Sequence, residues 1–507
     1  MSFFFKKKHS KSGTPKQTRS SFQSVDDVLK AANDSCDFTQ LKKKMNNQMM
    51  SFYYFSSLVD ETQLIDEVVR PLQELEHLDE KDMVEHMNAL QMKPLSTADE
   101  LERDLLTGYV LIRGAQQWTH TDWLVPLKKT EGRQVSIPEV EFSVFGSKES
   151  FVEMIDVNIN LLRTRLPTSD LRLKKLTIGE LSKTTVYVAY LQSVVNEKNV
   201  QTVLQRLGNV EIDQVQDSSI VLQMMEDNSA SVFPQFIDTE RPDRTAASVA
   251  GGRIAILTDG SSQALLAPVT AVEFITSFED SFLSWPAATF LRLLRLAALF
   301  FSIFATPLYV AVLTYHPEII PQDLFSTLMM SRRIVPFPPI VEALFLETTI
   351  ELLREAGARL PTKIGQTIGI VGGIVIGTAA VEAGLTSNVL LIIVALAALT
   401  SFTVPIYRMG TTIRIVRFPF IIAAQVWGLV SIGLMFIFIV CHLLSLTSLG
   451  RPYMAPIYPF SWRDLKDTFV RLPLEMQTHR QAFLQTKKPR KFQTKTVRSQ
   501  RDIDDGY

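Results

Sequence analysis

The chain has 507 residues, enough for several domains, and its 52 lysines and arginines are matched by 53 aspartates and glutamates. That balance excludes a polycation that binds nucleic acid through its overall charge. Two cysteines exclude a disulfide scaffold and a Cys-built metal centre. The charge is unevenly spread, because the stretch from about 296 to 446 is mostly apolar.

The N-terminal segment begins MSFFFKKKHSKSGTPKQTR and lacks the order of a secretory signal. Residues 1–44 are expected to form a basic, disordered tail. Residues 45–168 and 169–282 then read as two small α/β subdomains. In the first, Phe52 to Phe55 and Tyr109 to Arg113 are strand candidates. Helices are expected from about Glu61 to Leu78 and from Thr97 to Leu106, with Ser96 as a possible cap. In the second, KTTVYVAY at 183–190 alternates polar and apolar residues as a half-buried strand does. Asn196 opens a helix that runs to Leu207. RIAILT at 253–258 meets Asp259-Gly260, a hairpin signal, and Ala264 to Val272 returns. No short-period internal repeat is visible.

Residues 283–448 read as a helical transmembrane domain. Four apolar windows, about 293–314, 364–383, 387–407 and 418–446, are each long enough to cross a bilayer. A fifth helix, about 338–359, is amphipathic: Glu347, Glu351, Arg354 and Glu355 share one arc, and Leu346, Ile350 and Leu353 lie opposite. It fits three placements: in the interface, re-entrant beside water, or buried and paired. Residues 449–507 read as a second basic tail. Two basic tails place both termini on the cytoplasmic side and require an even number of spans. Four spans put Arg408, Arg414 and Arg417 in a short outside loop, against the positive-inside tendency.

The chemical motifs are few. There is no GxxxxGK[ST], GxGxxG or HExxH, so no cofactor, metal or enzymatic activity is expected. Gly365, Gly369, Gly373 and Gly377 repeat every four residues and give a small-residue face for close helix packing or for gating. Glu382 is the single charge between Lys363 and Arg408, placed either at the interface or at a pore mouth. With Glu347, Glu351 and Arg354 it completes the candidate ion-path residues. His442, in an apolar span, suits a hydrogen bond to a neighbouring element or a proton path.

Several strings, in order, resemble one family. They are FPQ at 233–235, TERPD at 239–243, GRIAILTDG at 252–260, FLRLLR at 290–295 and YHPEIIP at 315–321. PFPPIVEALFLETTIELLREAGARLP follows at 336–361, IGQTIGIVGGIVIGTAAVEAGL at 364–385, RPYMAPIYPF at 451–460 and WRDLKDTFVRLPL at 462–474. The chain is similar, over about residues 50–475, to the A subunit of the bacterial spore germinant receptor, the GerA family. The resemblance implies an integral protein of the spore inner membrane that acts with receptor B and C subunits. It also implies homo-oligomerisation into a nutrient-gated ion channel in contact with membrane lipid. A non-conducting coupling or scaffold subunit and, more remotely, a secondary transporter are the rival readings; no inverted repeat supports the last.

Overall fold

The computed structural model describes residues 22, 24–45, 48–74, 90–114, 122–129, 138, 141, 143–360, 373 and 375–491. The chain divides into two compact units, Met1–Gly132 with Leu166–Arg172, and Arg133–Arg165 with Leu173–Tyr507. The sequence boundary at 168/169 therefore meets an interleaved division.

In the first unit five strands, β1 (Phe38–Met45), β2 (Gln48–Phe55), β3 (Lys93–Pro94), β4 (Tyr109–Arg113) and β5 (Asp122–Pro126), form a sheet of order β1-β2-β4-β5-β3. Successive side chains of a strand point to opposite faces. Val110 and Ile112 accordingly join one core with Phe52, Leu64 and Val68, while Leu111 joins another with Val28, Leu101 and Leu105. Helix α1 (Val25–Asn33) begins at Ser24, whose hydroxyl accepts from the amide of Asp27. Residues 25–44, read from sequence as part of a disordered tail, are thus a capped helix and an edge strand. The signal was hidden because Lys42, Lys43 and Lys44 make that strand look like a solvated run. Lysine is common on exposed sheet edges, where it discourages further pairing. The long helix expected at 61–78 is divided by a π-helical stretch, Leu64–Val69, before α3 (Arg70–Glu74) follows α2 (Glu61–Gln63); 75–78 lie outside the described residues. Helix α4 (Ala98–Leu105) is capped by Thr97 rather than Ser96.

The second unit opens with a sheet of β6 (Leu171–Ile178), β7 (Thr184–Leu191), β8 (Ile237–Thr239), β9 (Ile254–Thr258) and β10 (Ala264–Ala267), in order β6-β7-β9-β10-β8. Counted from its own first strand, this is the order of the first sheet. The helices recur too. Helix α5 (Ile155–Arg165) precedes the sheet, α6 (Glu197–Gly208) and α7 (Ser218–Met225) follow its second strand, and α8 (Pro242–Ala250) follows its third. The two sheets are topological repeats that no short sequence period reveals. Val200, Val203 and Leu207 of α6 pack on Val186, Val188 and Ile256.

Among the described residues, helices α9 (Trp285–Tyr315), α10 (Gln322–Arg332), α11 (Pro339–Arg359), α12 (Asn388–Ser401), α13 (Tyr407–Trp427) and α14 (Leu429–Ser445), with a helical run at 375–382, make up the helical body. Among the described residues, α9 and α13 are long and apolar enough to cross a membrane, and α12 and α14 are shorter apolar helices. The body is dressed in large exposed apolar groups, among them Leu399, Phe438, Ile422 and Phe300. Water penalises such a surface and lipid does not. The window 293–314 lies inside α9, whereas 364–372 and 374, half of the second window, lie outside the described residues. The window 418–446 is two helices meeting at Gly428, with φ +61°; a Cβ there would sit 3.0 Å from His316 Nε2 and 3.1 Å from Tyr315 Cβ.

The segment holding Arg408, Arg414 and Arg417 is not a loop but the first half of α13. Its start docks on the second sheet: Arg408 pairs with Asp238 at 2.7 Å, and Thr412 donates to Val232 O at 2.6 Å. Its far end meets the end of α9, where Tyr315 donates to Gln425 O at 2.6 Å. Arg408 therefore lies at the sheet end of the body, with Arg414 and Arg417 successively further along α13. Hydropathy misread them because each has a carboxylate partner. Of the C-terminal segment, expected as a basic tail from 449, the described residues 449–491 contact the same subdomain. Arg451 donates to Asn199 at 2.9 Å, Tyr453 to Pro234 O at 2.8 Å, and Lys487 pairs with Glu197 at 2.7 Å.

Candidate functional site

Helix α11 buries two carboxylates, Glu342 and Glu347, on its packed face. Glu342 and Glu347 face neighbouring helices together with Ala343 and Leu346, while Phe345 and Leu352 are exposed and Glu355, the last member of the arc, is exposed beside Arg359. The carboxylates form three rungs, separated by about 1.5 Å of rise per residue along the helix. At the end far from the sheets, Glu342 is completely buried. It pairs with Arg332 at 2.8 Å and accepts from the Ser387 amide at 3.1 Å, while the hydroxyls of Tyr309 and Ser387 lie 2.9 Å apart. In the middle, Glu347 pairs with Arg417 at 2.5 Å, both essentially inaccessible. Thr306 donates to Glu347 at 2.8 Å, and Arg417 donates to the Ser302 hydroxyl at 2.7 Å and to Ala397 O at 3.2 Å. Toward the sheets, Glu351 is shared by Arg354 at 3.1 Å and Arg414 at 3.4 Å, and Arg354 lies over the ring of Phe402. Three carboxylates meet four guanidiniums, an excess of one positive charge inside an apolar exterior.

The sequence-derived residues fall as follows. Glu347, Glu351 and Arg354 belong to this ladder. Glu382 is exposed at the end of the helical run 375–382. Gly365 and Gly369 lie outside the described residues. Gly373 has open space where a Cβ would stand, and Gly377 faces Leu391 at 3.7 Å. His442 is within 2.9 Å of the Ser231 hydroxyl and packs near Phe233, so it joins α14 to the second subdomain.

Sequence reasoning missed Glu342, Arg332, Arg414 and Arg417, and the hydroxyls Ser302 and Thr306. The available signal was arginine within an apolar run, since an intramembrane charge calls for a partner. It also missed the junction where α9 begins. Asp280 is fully buried there between Arg295 at 2.7 Å and Arg292 at 3.2 Å, and Arg292 also donates to Asp467 O at 2.5 Å. Arg471 donates to Ser281 O at 2.9 Å and Leu283 O at 3.2 Å. Burial pushes the Asp467 carboxyl above its ordinary range and lowers the Arg471 guanidinium. Among the described residues no cluster of His, Cys, Asp and Glu is arranged to hold a metal ion.

The sequence pattern of the Bacillus/Clostridium GerA spore germination protein family matches residues 21–483. Spore germination protein GerQA of Bacillus cereus is 44% identical over 490 residues, covering 96% of this chain and 98% of that protein. Spore germination protein A1 of Bacillus subtilis (strain 168) is 37% identical over 451 residues, covering 88% and 93%. The crystal structure of the N-terminal domain of the A subunit of the Bacillus megaterium spore germinant receptor GerK3 aligns at 24% identity and a TM-score of 0.37, over 48% of this chain and 92% of that one. A likeness that low carries no argument about the fold. The family match and the two full-length relatives do carry one about kinship: the chain belongs to the Bacillus/Clostridium GerA spore germination protein family.

Proposed function

We propose that this chain is the membrane A subunit of a nutrient germinant receptor, that it is not an enzyme, and that copies of it assemble into a nutrient-gated ion channel. It resides in the spore inner membrane, with both termini on the spore-core side, and works with receptor B and C subunits. Family membership supports the role in germination. The observation that carries the membrane mechanism is the buried ladder along α11, a polar seam within helices whose outer faces are apolar. Charges at membrane depth persist where they meet partners or line a path. Arg408 at the sheet end of α13 and the C-terminal segment packed on the second subdomain agree with termini on one side.

One observation favours the rival reading of a non-conducting coupling subunit: each ladder carboxylate already has a guanidinium. In the channel reading, this paired arrangement is the closed state, and opening requires the pairs to exchange partners or admit water. Recording from purified protein in planar bilayers decides between them. Discrete nutrient-dependent currents are expected. Glu351→Gln, at the more accessible rung, should alter ion preference while assembly persists. Silent bilayers containing the full receptor would leave the coupling reading.

A further inference from the structure

Two cavities of opposite character lie back to back where the helical body meets the second subdomain. The apolar one encloses about 410 Å³ between α9, α13 and α14, lined by groups such as Leu299, Ile303, Ile413, Ile439 and Leu443. That is within the size range of small-ligand sites, roughly 300–1,000 Å³. The polar one, about 280 Å³, lies among α8, the start of α9 and the C-terminal segment. Val272, Thr276, Arg292 and Thr468 line both, so the two cavities adjoin there.

The polar cavity is cationic. Arg253, Arg292, Arg463, Arg480 and Lys491 line it, against Glu273, Asp464 and Asp467. Glu273 is paired with Arg253. Arg480 is held by carbonyls, donating to Ala250 O at 3.1 Å, Lys488 O at 2.9 Å and Arg490 O at 2.6 Å. Carbonyls fix the position of a guanidinium without cancelling its charge. Among the described residues neither Arg480 nor Lys491 has a carboxylate within ion-pair distance. Guanidinium suits phosphate because its planar fork matches the oxygens, and basic pockets beside membrane helices bind anionic headgroups.

We infer that this junction holds one anionic phospholipid per chain, with an acyl chain in the apolar cavity and the phosphate in the cationic one. The lipid bridges α9, α13 and α14 to the C-terminal segment past Arg292, where the cavities adjoin. The inference uses the membrane placement of the helices but not conduction, and its test reads lipid retention on the full chain whatever current that chain carries.

The test is native mass spectrometry of full-length protein, delipidated in mild detergent and returned to vesicles of phosphatidylglycerol or of phosphatidylcholine. One phosphatidylglycerol per chain should be retained in preference to phosphatidylcholine. Arg480→Gln with Lys491→Gln should lower that retention by about tenfold or more, given the contribution of each basic group to anionic-lipid attraction. Ile439→Trp, which fills the apolar cavity, should lower it for both lipids. Leu299→Phe is a milder filling variant should Ile439→Trp not fold. Equal retention of the two lipids, or unchanged retention in the cationic double variant, would overturn the assignment in favour of an apolar filler. Full displacement of the lipid by millimolar inorganic phosphate would instead identify a free-anion site and overturn it as well.

Discussion

The middle rung of the ladder and the junction at Asp280 pose one physical problem and solve it differently. Glu347 has one guanidinium, Arg417, and depends on hydroxyls and a helix carbonyl for the remaining polar contacts. Asp280 has two guanidiniums, and both reach more accessible surroundings, with side chains 15% and 13% exposed. An ion pair repays its desolvation when every polar group is satisfied, and the debt left by removing one partner grows as water recedes. The ladder should therefore be brittle and the junction forgiving.

The largest expected effect is Arg417→Leu. It strands Glu347 in an inaccessible site, and removing one partner of a buried pair costs about 3–5 kcal/mol. Recovery and thermal midpoint in detergent should fall sharply, and Glu347→Met added to Arg417→Leu should restore much of the loss. A stable single variant would mean that water reaches the rung, removing the contrast with the junction. Asp280→Asn comes next, at about 1–3 kcal/mol, the cost of an unsatisfied buried group, because Arg292 and Arg295 still reach water. Its signature should be faster proteolysis of the segment 461–491 with the helical body intact. Glu351 is nearly a third exposed and shared by two arginines, so Glu351→Gln should cost about 0.5–1 kcal/mol. A loss as large as that of Arg417→Leu would show that the whole ladder acts as one unit.

The smallest effect on the protomer belongs to Gly373→Leu. Among the described residues nothing lies near a Cβ there, and exposed substitutions usually stay within about 0.5 kcal/mol. If the glycine face serves assembly, the variant should keep its thermal midpoint yet run smaller in size-exclusion chromatography. Unchanged size would leave the face to lipid.

Much of the fold was legible in the sequence. KTTVYVAY at 183–190 reads as a strand and becomes β7, half-buried through Tyr187 and buried on both faces from Val188, and Asn196 begins α6 because its side chain accepts from the Lys198 amide. What escaped were features that depend on residues distant in the chain. Lys42 to Lys44 look solvated until β2 pairs with them. Arg414 and Arg417 look like a loop until Glu351 and Glu347, more than sixty positions earlier, neutralise them.

The sequence by itself determined that an α/β region precedes an apolar helical one, that α11 is two-faced, and which family the ordered strings belong to. Period and composition are local quantities, and a single chain displays them before it folds. Tertiary structure alone decided which way α11 turns. An acidic stripe faces water in a soluble helix and faces inward in an apolar surrounding, and the choice follows from whether guanidiniums wait on the neighbouring helices. It likewise decided that the two sheets share one strand order, because strand order is set by pairings between segments and leaves no short period in the sequence.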